Sequence, residues 1–253
     1  AAAFGLPCFL SGDMQTALQL WEDLYQNRAN WQKERVKPLR LPAMIARELK
    51  RLALTEFVLD TKDTELQLPL QHTKQMLRQK LDYGIASGGL LLKPYYHNGL
   101  QIDFVAQNQY LPVRYTNDAC TAVICPEELL LEKRCYTRLE FHQFDEQIHT
   151  HTIQQRCFRS PTPGTLGLEC DLTEVPQWAN LLPQKTYYDV SQPLFAMFQM
   201  PEANNIDPTS PLGVSAYADA VDLIHDADVH WERILWELES SERAIDASED
   251  LFR

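Results

Sequence analysis

The residues best suited to do chemistry are three histidines, His142, His149 and His151, in the stretch HQFDEQIHTHT. Neutral imidazole is a common metal ligand and a base near neutral pH. If the segment is a strand, His149 and His151 fall on one face, because side chains alternate along a strand. Asp145 and Glu146 lie between them and His142. An intracellular metal-dependent enzyme using His142, His149 and His151 is therefore one reading. The spacing matches no ligand signature, and an exposed polar hairpin accounts for the same letters.

Other reactive residues carry less. Six cysteines, Cys8, Cys120, Cys125, Cys135, Cys157 and Cys170, include no CxxC pair. Six are sparse for a disulfide scaffold of 253 residues, which favours small buried hydrophobes in a reducing, intracellular setting. Neither Cys135 nor Cys157 forms a local nucleophile signature with His142. No GxxxxGK[ST], GxSxG, HExxH or GxGxxG occurs. The chain thus lacks the common sequence signatures for cradling phosphates, for a nucleophile elbow and for a zinc helix. Gly88-Gly89 fits close backbone packing or a strand start better than phosphate binding. The residues assign no catalytic position, no cofactor and no metal, and by elimination they favour a structural or assembly protein.

The elements that would position these residues change character twice. Ser11 stands before MQTALQLWEDLYQ, where Leu18, Trp21 and Tyr25, flanked by Ala17, Leu20 and Leu24, recur at helical spacing behind an N-cap. A basic connector, Arg28 to Arg40, follows. A second helix is expected near Pro42, with Ile45, Leu49, Leu52 and Phe57 on one face, and a third over 70–81. Short apolar runs broken by Gly, Pro and Asn98-Gly99 then read as strands, and Asn98-Gly99 as a hairpin turn. In TRLEFHQF, Leu139, Phe141 and Gln143 alternate with Arg138, Glu140 and His142, so one face is expected to pack and the other to meet water. Another strand is expected around 194–198.

The last region opens on a turn, Asn204-Asn205 with Asp207-Pro208. Ser210 reads as an N-cap and Pro211 as the first helical residue, with Gly213 just inside. Leu212, Ala216, Ala220, Ile224, Ala227, Trp231, Leu235 and Leu238 then step by three or four, one stripe about 45 Å long. The expected fold class is α+β in one core domain: helical over 1–84, β-rich over 85–200, and a turn with a long acidic helix over 201–253.

Charge follows the same division. The formal net charge is −12. Residues 1–58 hold eight Lys and Arg against six Asp and Glu, whereas 201–253 hold three against thirteen. Tight nucleic-acid binders concentrate basic residues instead. An acidic surface suits DNA that slides past and is not held. Trp21, Tyr25 and Trp31 interleave with Arg28 and Arg35 as in an RNA-binding patch, but Trp21 and Tyr25 fit the core stripe better. No uncharged apolar run approaches the ~20 residues that span a bilayer. The start, AAAFGLPCFL, lacks the basic segment of a secretory signal and reads as an ordered arm.

Several stretches, taken in order, carry a resemblance: MQTALQLWEDLY, ASGGLLLKPYYHNGLQIDFVAQNQYLPVRY, CYTRLEFHQF, QPLFAMFQMPEANNIDPTSPLGVSAYADAVDLI and WERILWELESSERAIDASEDLF. Over nearly the whole chain the sequence resembles the portal proteins of tailed bacteriophages, in the branch typical of phages and prophages of Gram-positive bacteria. The resemblance implies a wing-like and stem-like α+β subunit of a ring, usually a dodecamer, at one capsid vertex of the virion, assembled in the host cytoplasm. It implies no catalytic residue and no cofactor. The implied partners are further copies of the chain, the terminase large subunit, the head–tail adaptor, and the capsid and scaffold proteins. Double-stranded DNA would pass through the channel during packaging and ejection without sequence-specific binding, and no membrane is involved. Members of that family are longer, so the chain is expected to be a fragment carrying mainly the wing. The resemblance makes the turn Asn204, Asn205, Ser210, Pro211, Gly213 a launch for a strut helix. It makes Asp219, Asp222 and Asp226 candidates to face the channel or a neighbouring subunit.

Overall fold

A computed structural model of the chain describes residues 1–7, 10–32, 36–96, 99–115 and 119–250. The fold is α+β, with helices at the start, two sheets in the middle and a long helix at the end. Helix α1, Gly12–Tyr25, begins where Ser11 Oγ accepts the Met14 amide at 3.2 Å. Its buried residues, Met14, Leu18, Trp21 and Leu24, make one stripe. Helix α2 spans Leu41–Ala53, so Phe57 lies beyond its end.

Helix α3 spans Thr64–Ser87 and is longer at both ends than the spacing predicts. Asp63 caps it by accepting the Glu65 amide at 2.9 Å, and Pro69 is carried inside it. Pro69 has no N–H to donate back one turn, yet the chain remains helical through it. At the other end the apolar run YGIAS, which also suits a buried strand, completes the helix. Gly88 then closes it in the left-handed region, at φ 94°.

A three-stranded antiparallel sheet follows, ordered β2-β1-β9, from β1 (Gly89–Tyr96), β2 (Leu100–Ala106) and β9 (Ala196–Gln199). β1 and β2 pair across the expected hairpin, from Leu90↔Ala106 to Tyr96↔Leu100. Asn98 itself lies outside the described residues; Gly99 has φ 120°.

The second sheet has six strands. β3 (Leu111–Tyr115), β4 (Cys120–Leu131), β5 (Arg134–Asp145), β6 (Thr150–Ser160) and β7 (Leu168–Cys170) lie in sequence order. β8 (Gln184–Tyr187) pairs with the other end of the β6 edge that β7 uses. The β4–β5 hairpin turns on Glu132-Lys133, both at positive φ, a turn that Asn-Gly patterns do not reveal.

Both faces of β5 are covered, which corrects the expectation of one wet face. Leu139 and Phe141 pack under the N-terminal arm, where Phe4 meets Phe141 at 4.9 Å between ring centroids. Glu140, His142 and Phe144 are buried on the opposite face. The largest core cluster joins α1 to the end of α3, to β1, and to Leu212, Val214, Tyr217 and Ile224.

Helix α4 spans Val221–Asp250, about 45 Å of helix. It does not start at Ser210. Residues 212–217 instead thread through the core as irregular chain, with Leu212, Val214, Ser215 and Tyr217 buried. Their backbone is already bonded elsewhere: the Ala216 amide to the Ile85 carbonyl at 3.1 Å, the Gly213 amide to Gln107 Oε1 at 3.0 Å. A short 3-10 turn, Ala218–Ala220, leads into the helix.

Candidate functional site

Two places concentrate unusual features: the launch and free length of α4, and a polar chain buried between the sheets. The launch is built from the turn residues upward. Asn204 Oδ1 accepts the amides of Ile206 and Asp207 at 3.0 and 2.8 Å, while its Nδ2 donates to the Leu212 carbonyl at 2.9 Å. Asn205 Nδ2 donates to Asp219 Oδ1 at 2.9 Å, tying the turn to the approach of α4. Asn204 and Asn205 therefore hold a structural turn, as the sequence suggests.

Ser210, Pro211 and Gly213 do something other than start a helix. Ser210 Oγ accepts the Leu212 amide within the turn at 3.3 Å, and the Pro211 carbonyl accepts from the Gln199 side chain. Gly213 lies against Gly88, where the backbones touch: a Cβ on Gly88 would lie 2.5 Å from the Gly213 carbonyl oxygen. Gln107, fully buried, clamps this crossing by donating Nε2 to the carbonyls of Ser87 and Gly213, each at 2.7 Å. Gly88 serves the close packing that the sequence suggests, and Gly89 opens β1.

Asp228 anchors α4, and no sequence signal singled it out from the other acidic residues. It is 1% exposed. Its Oδ1 accepts the Leu39 amide at 2.8 Å, and Oδ2 accepts from Trp31 Nε1 at 3.1 Å and Gln32 Nε2 at 2.7 Å. Trp31 also meets His225 edge-on, at 4.9 Å between centroids. Trp31 thus belongs to the α4 anchor and Trp21 to the core, which removes Trp21 from any base-stacking surface; Arg35 lies outside the described residues.

Beyond Asp228, α4 leaves the body. Trp231, Ile234, Trp236 and Leu238 are all exposed, Trp236 at 66%. Asp222 and Asp226 are exposed nearer the anchor, with Asp226 beside His225 Nδ1 at 3.1 Å. Asp219 precedes the helix and is held by Asn205. Single exposed apolar residues are ordinary on a protein surface; here two tryptophans and two aliphatics are exposed within eight positions of one helix.

The second place contains two of the three predicted histidines. His142 in β5 and His151 in β6 are diagonal neighbours on one sheet face, since His142 pairs with Ile153 and Phe144 with His151. The Leu194 amide donates to His151 Nδ1 at 3.2 Å, which leaves that ring's proton on Nε2. Nε2–H then donates to His142 Nδ1 at 3.1 Å, and His142 Nε2–H donates to Glu140 Oε1 at 2.8 Å. Lys93 Nζ reaches the same oxygen at 2.6 Å, and Arg138 lies 3.2 Å from Oε2. Burial opposes ionisation of Glu140, but His142, Lys93 and Arg138 outweigh it and hold the carboxyl well below the usual range. Burial, with His142 alongside, pushes His151 down to about 4.

His149 does not join them. It sits exposed in the β5–β6 turn at φ 50°, and Asp145 caps that turn by accepting the Gln147 amide at 3.0 Å. Every ring nitrogen of His142 and His151 is engaged in the chain of hydrogen bonds, so neither offers a free lone pair to a metal. Among the described residues no group of three His, Cys, Asp or Glu side chains is arranged to hold a metal ion. Lys93, Asp103, Glu127 and Arg138 also line a cavity of about 700 Å³, where Arg138 pairs with Glu127 and Lys93 lies 3.7 Å from Asp103. Glu128 lines it too and accepts the Gly164 amide at 3.0 Å. Among the described residues no helix is long and apolar enough to cross a membrane.

No protein-family model matches the chain, and no curated protein matches it.

Proposed function

We propose that the chain is a subunit of a bacteriophage portal, a ring at the capsid vertex through which DNA is packaged and ejected. In this reading it is not an enzyme. The terminase large subunit and the head–tail adaptor dock on the ring, and capsid and scaffold proteins assemble around it. The observation that carries the reading is α4, whose far half stands away from its own domain with Trp231, Ile234, Trp236 and Leu238 uncovered. A helix of this kind needs a partner, and a second copy meeting it head to tail generates a closed ring when the rotation permits. The ordered sequence motifs and the concentration of acid in the last region support the same reading.

The test is mass in solution by light scattering, with negative-stain images of the same fraction. Rings of about a dozen subunits with a central hole are expected. The double variant Trp231→Asp with Trp236→Asp should remain monomeric while keeping its circular dichroism, because both side chains are exposed, Trp231 at 40% and Trp236 at 66%. A wild-type protein that stays monomeric even with capsid and scaffold proteins present overturns the reading. The alternative, a metal-dependent enzyme, draws no support from the separation of His149 from His142 and His151. Stoichiometric zinc, iron or manganese after chelator-free purification would revive it.

A further inference from the structure

Cys157 in β6 and Cys170 in β7 face each other directly across the ladder. Their sulfurs are 3.4 Å apart, and neither is bridged. Opposed residues of antiparallel strands have Cα atoms about 4.5–5.5 Å apart. A disulfide needs roughly 4.4–6.8 Å, so the bond forms here without moving the backbone. Cys157 is buried beneath Tyr136, Leu172, Val175 and Trp178, whereas Cys170 is half-exposed at the sheet edge.

The position gives such a bond a mechanical role. β7 is three residues long, and pairs with β6 only from Arg159↔Leu168 to Cys157↔Cys170. It leads straight into the segment that folds Leu172, Val175 and Trp178 over β5 and β6. This cap is a separate apolar cluster from the main core. Three residue pairs, the Arg156–Glu169 and Arg159–Glu174 ion pairs and one small patch of side chains hold it to the sheet edge.

We propose that Cys157 and Cys170 are a reversible disulfide site, oxidised by a peroxide outside a reducing compartment, which staples the Trp178 cap to the sheet. The Cys170 thiolate, the accessible one, attacks the peroxide O–O bond; the departing hydroxide takes up a proton and leaves as water, and Cys170 becomes a sulfenic acid. Cys157 sulfur then attacks the Cys170 sulfur. The second hydroxide departs with the Cys157 proton as water. Two thiols and one hydrogen peroxide give one disulfide and two waters: the sulfurs lose two electrons and the peroxide gains them. Burial pushes the Cys157 thiol up to about 12 and raises Cys170 as well. The pair is a dithiol as folded and therefore reacts slowly with peroxide. A protein assembled inside a cell and released from it would pass from the first state to the second. The chemistry of the pair stands without the portal reading; only this timing rests on it.

The purified protein, treated with hydrogen peroxide and digested without reductant, tests the site. A peptide joining Cys157 to Cys170 is expected, with a mass loss of about 2 Da for two hydrogens. The thermal midpoint should rise by roughly 5 °C or more and return with dithiothreitol. Cys170→Ser should lose both effects while its midpoint matches the reduced wild type. The peptide map of the wild-type protein decides the question even if that variant folds poorly. Oxygen adducts on Cys170 without a cross-link, cross-links only among other cysteines, or unchanged thiols would each overturn the proposal.

Discussion

At the scale of single residues, the buried chain from Leu194 to Glu140 sets a pH dependence. His151 titrates near 6.5 when unfolded and is pushed down to about 4 when folded. The unfolded chain therefore binds more protons between these values, so stability is full above about pH 6.5 and falls as pH drops toward 4. The slope from one group reaches at most about 1.4 kcal/mol per pH unit. Glu140 is also depressed, so its contribution is lost as pH falls below about 4.5 and overlaps only the bottom of the His151 window. Urea midpoints measured from pH 7.5 to 4 should fall for the wild type and flatten for His151→Gln, whatever that variant's absolute stability. An equal slope in both would place the titration elsewhere. The sequence offered His149 and His151 as the pair on one strand face, with His142 nearby; the structure pairs His142 with His151 instead. What spacing alone did not reveal was the hairpin register: it puts His149 in the turn and brings His142 and His151 to one buried face. Gly88 and Gly213 show the same limit. Each is readable as a special backbone position, but their mutual contact joins residues 125 positions apart in the chain.

Elements were legible where one periodicity held without competition. The α1 stripe is an example, and its cap is visible as Ser11. Replacing Ser11 by alanine leaves the Met14 amide without its partner and should cost about 1 kcal/mol. Ser210 carries the same sequence signal, yet its hydroxyl serves only a turn. Ser210→Ala should therefore cost under about 0.5 kcal/mol, as for most surface changes. Thermal midpoints of the two variants separate these expectations, and equal losses would argue that a helix does begin near Ser210. The error in placing α4 has a plain cause. Leu212, Ala216 and Ala220 fit a helical stripe, but a buried irregular chain is apolar at every position and fits it too. Backbone pairing with Gln107 and Ile85 decides between them, and both lie far away in sequence. Within α3 the opposite happened. The spacing predicts a start at residue 70, just after Pro69, but the cap at Asp63 and continuous helix on both sides outweigh the one hydrogen bond that proline cannot make.

Across the whole molecule, acid and apolar surface meet on α4. Asp222 and Asp226, four residues apart, share one side of the helix, and both are exposed. Asp219 is committed to Asn205 and belongs to the turn more than to any surface. If the protein forms a channel, Asp222 and Asp226, the latter beside His225, are two exposed carboxylates on this helix that would repel a passing phosphate backbone. Replacing both by lysine adds four charges to a net of −12 and reverses the sign of that patch. The folded body should tolerate this, since neither carboxylate anchors α4; Asp228 does. The double variant should still form rings, but should retain duplex DNA at about 50 mM salt and release it steeply as salt rises. The wild-type ring should retain little under the same conditions, and packaging by the variant should be slower. Rings that package at the wild-type rate would put this face away from the DNA path. The acidity of α4 would then serve solubility and the choice of partner, as unbalanced surface charge does in proteins that never meet DNA.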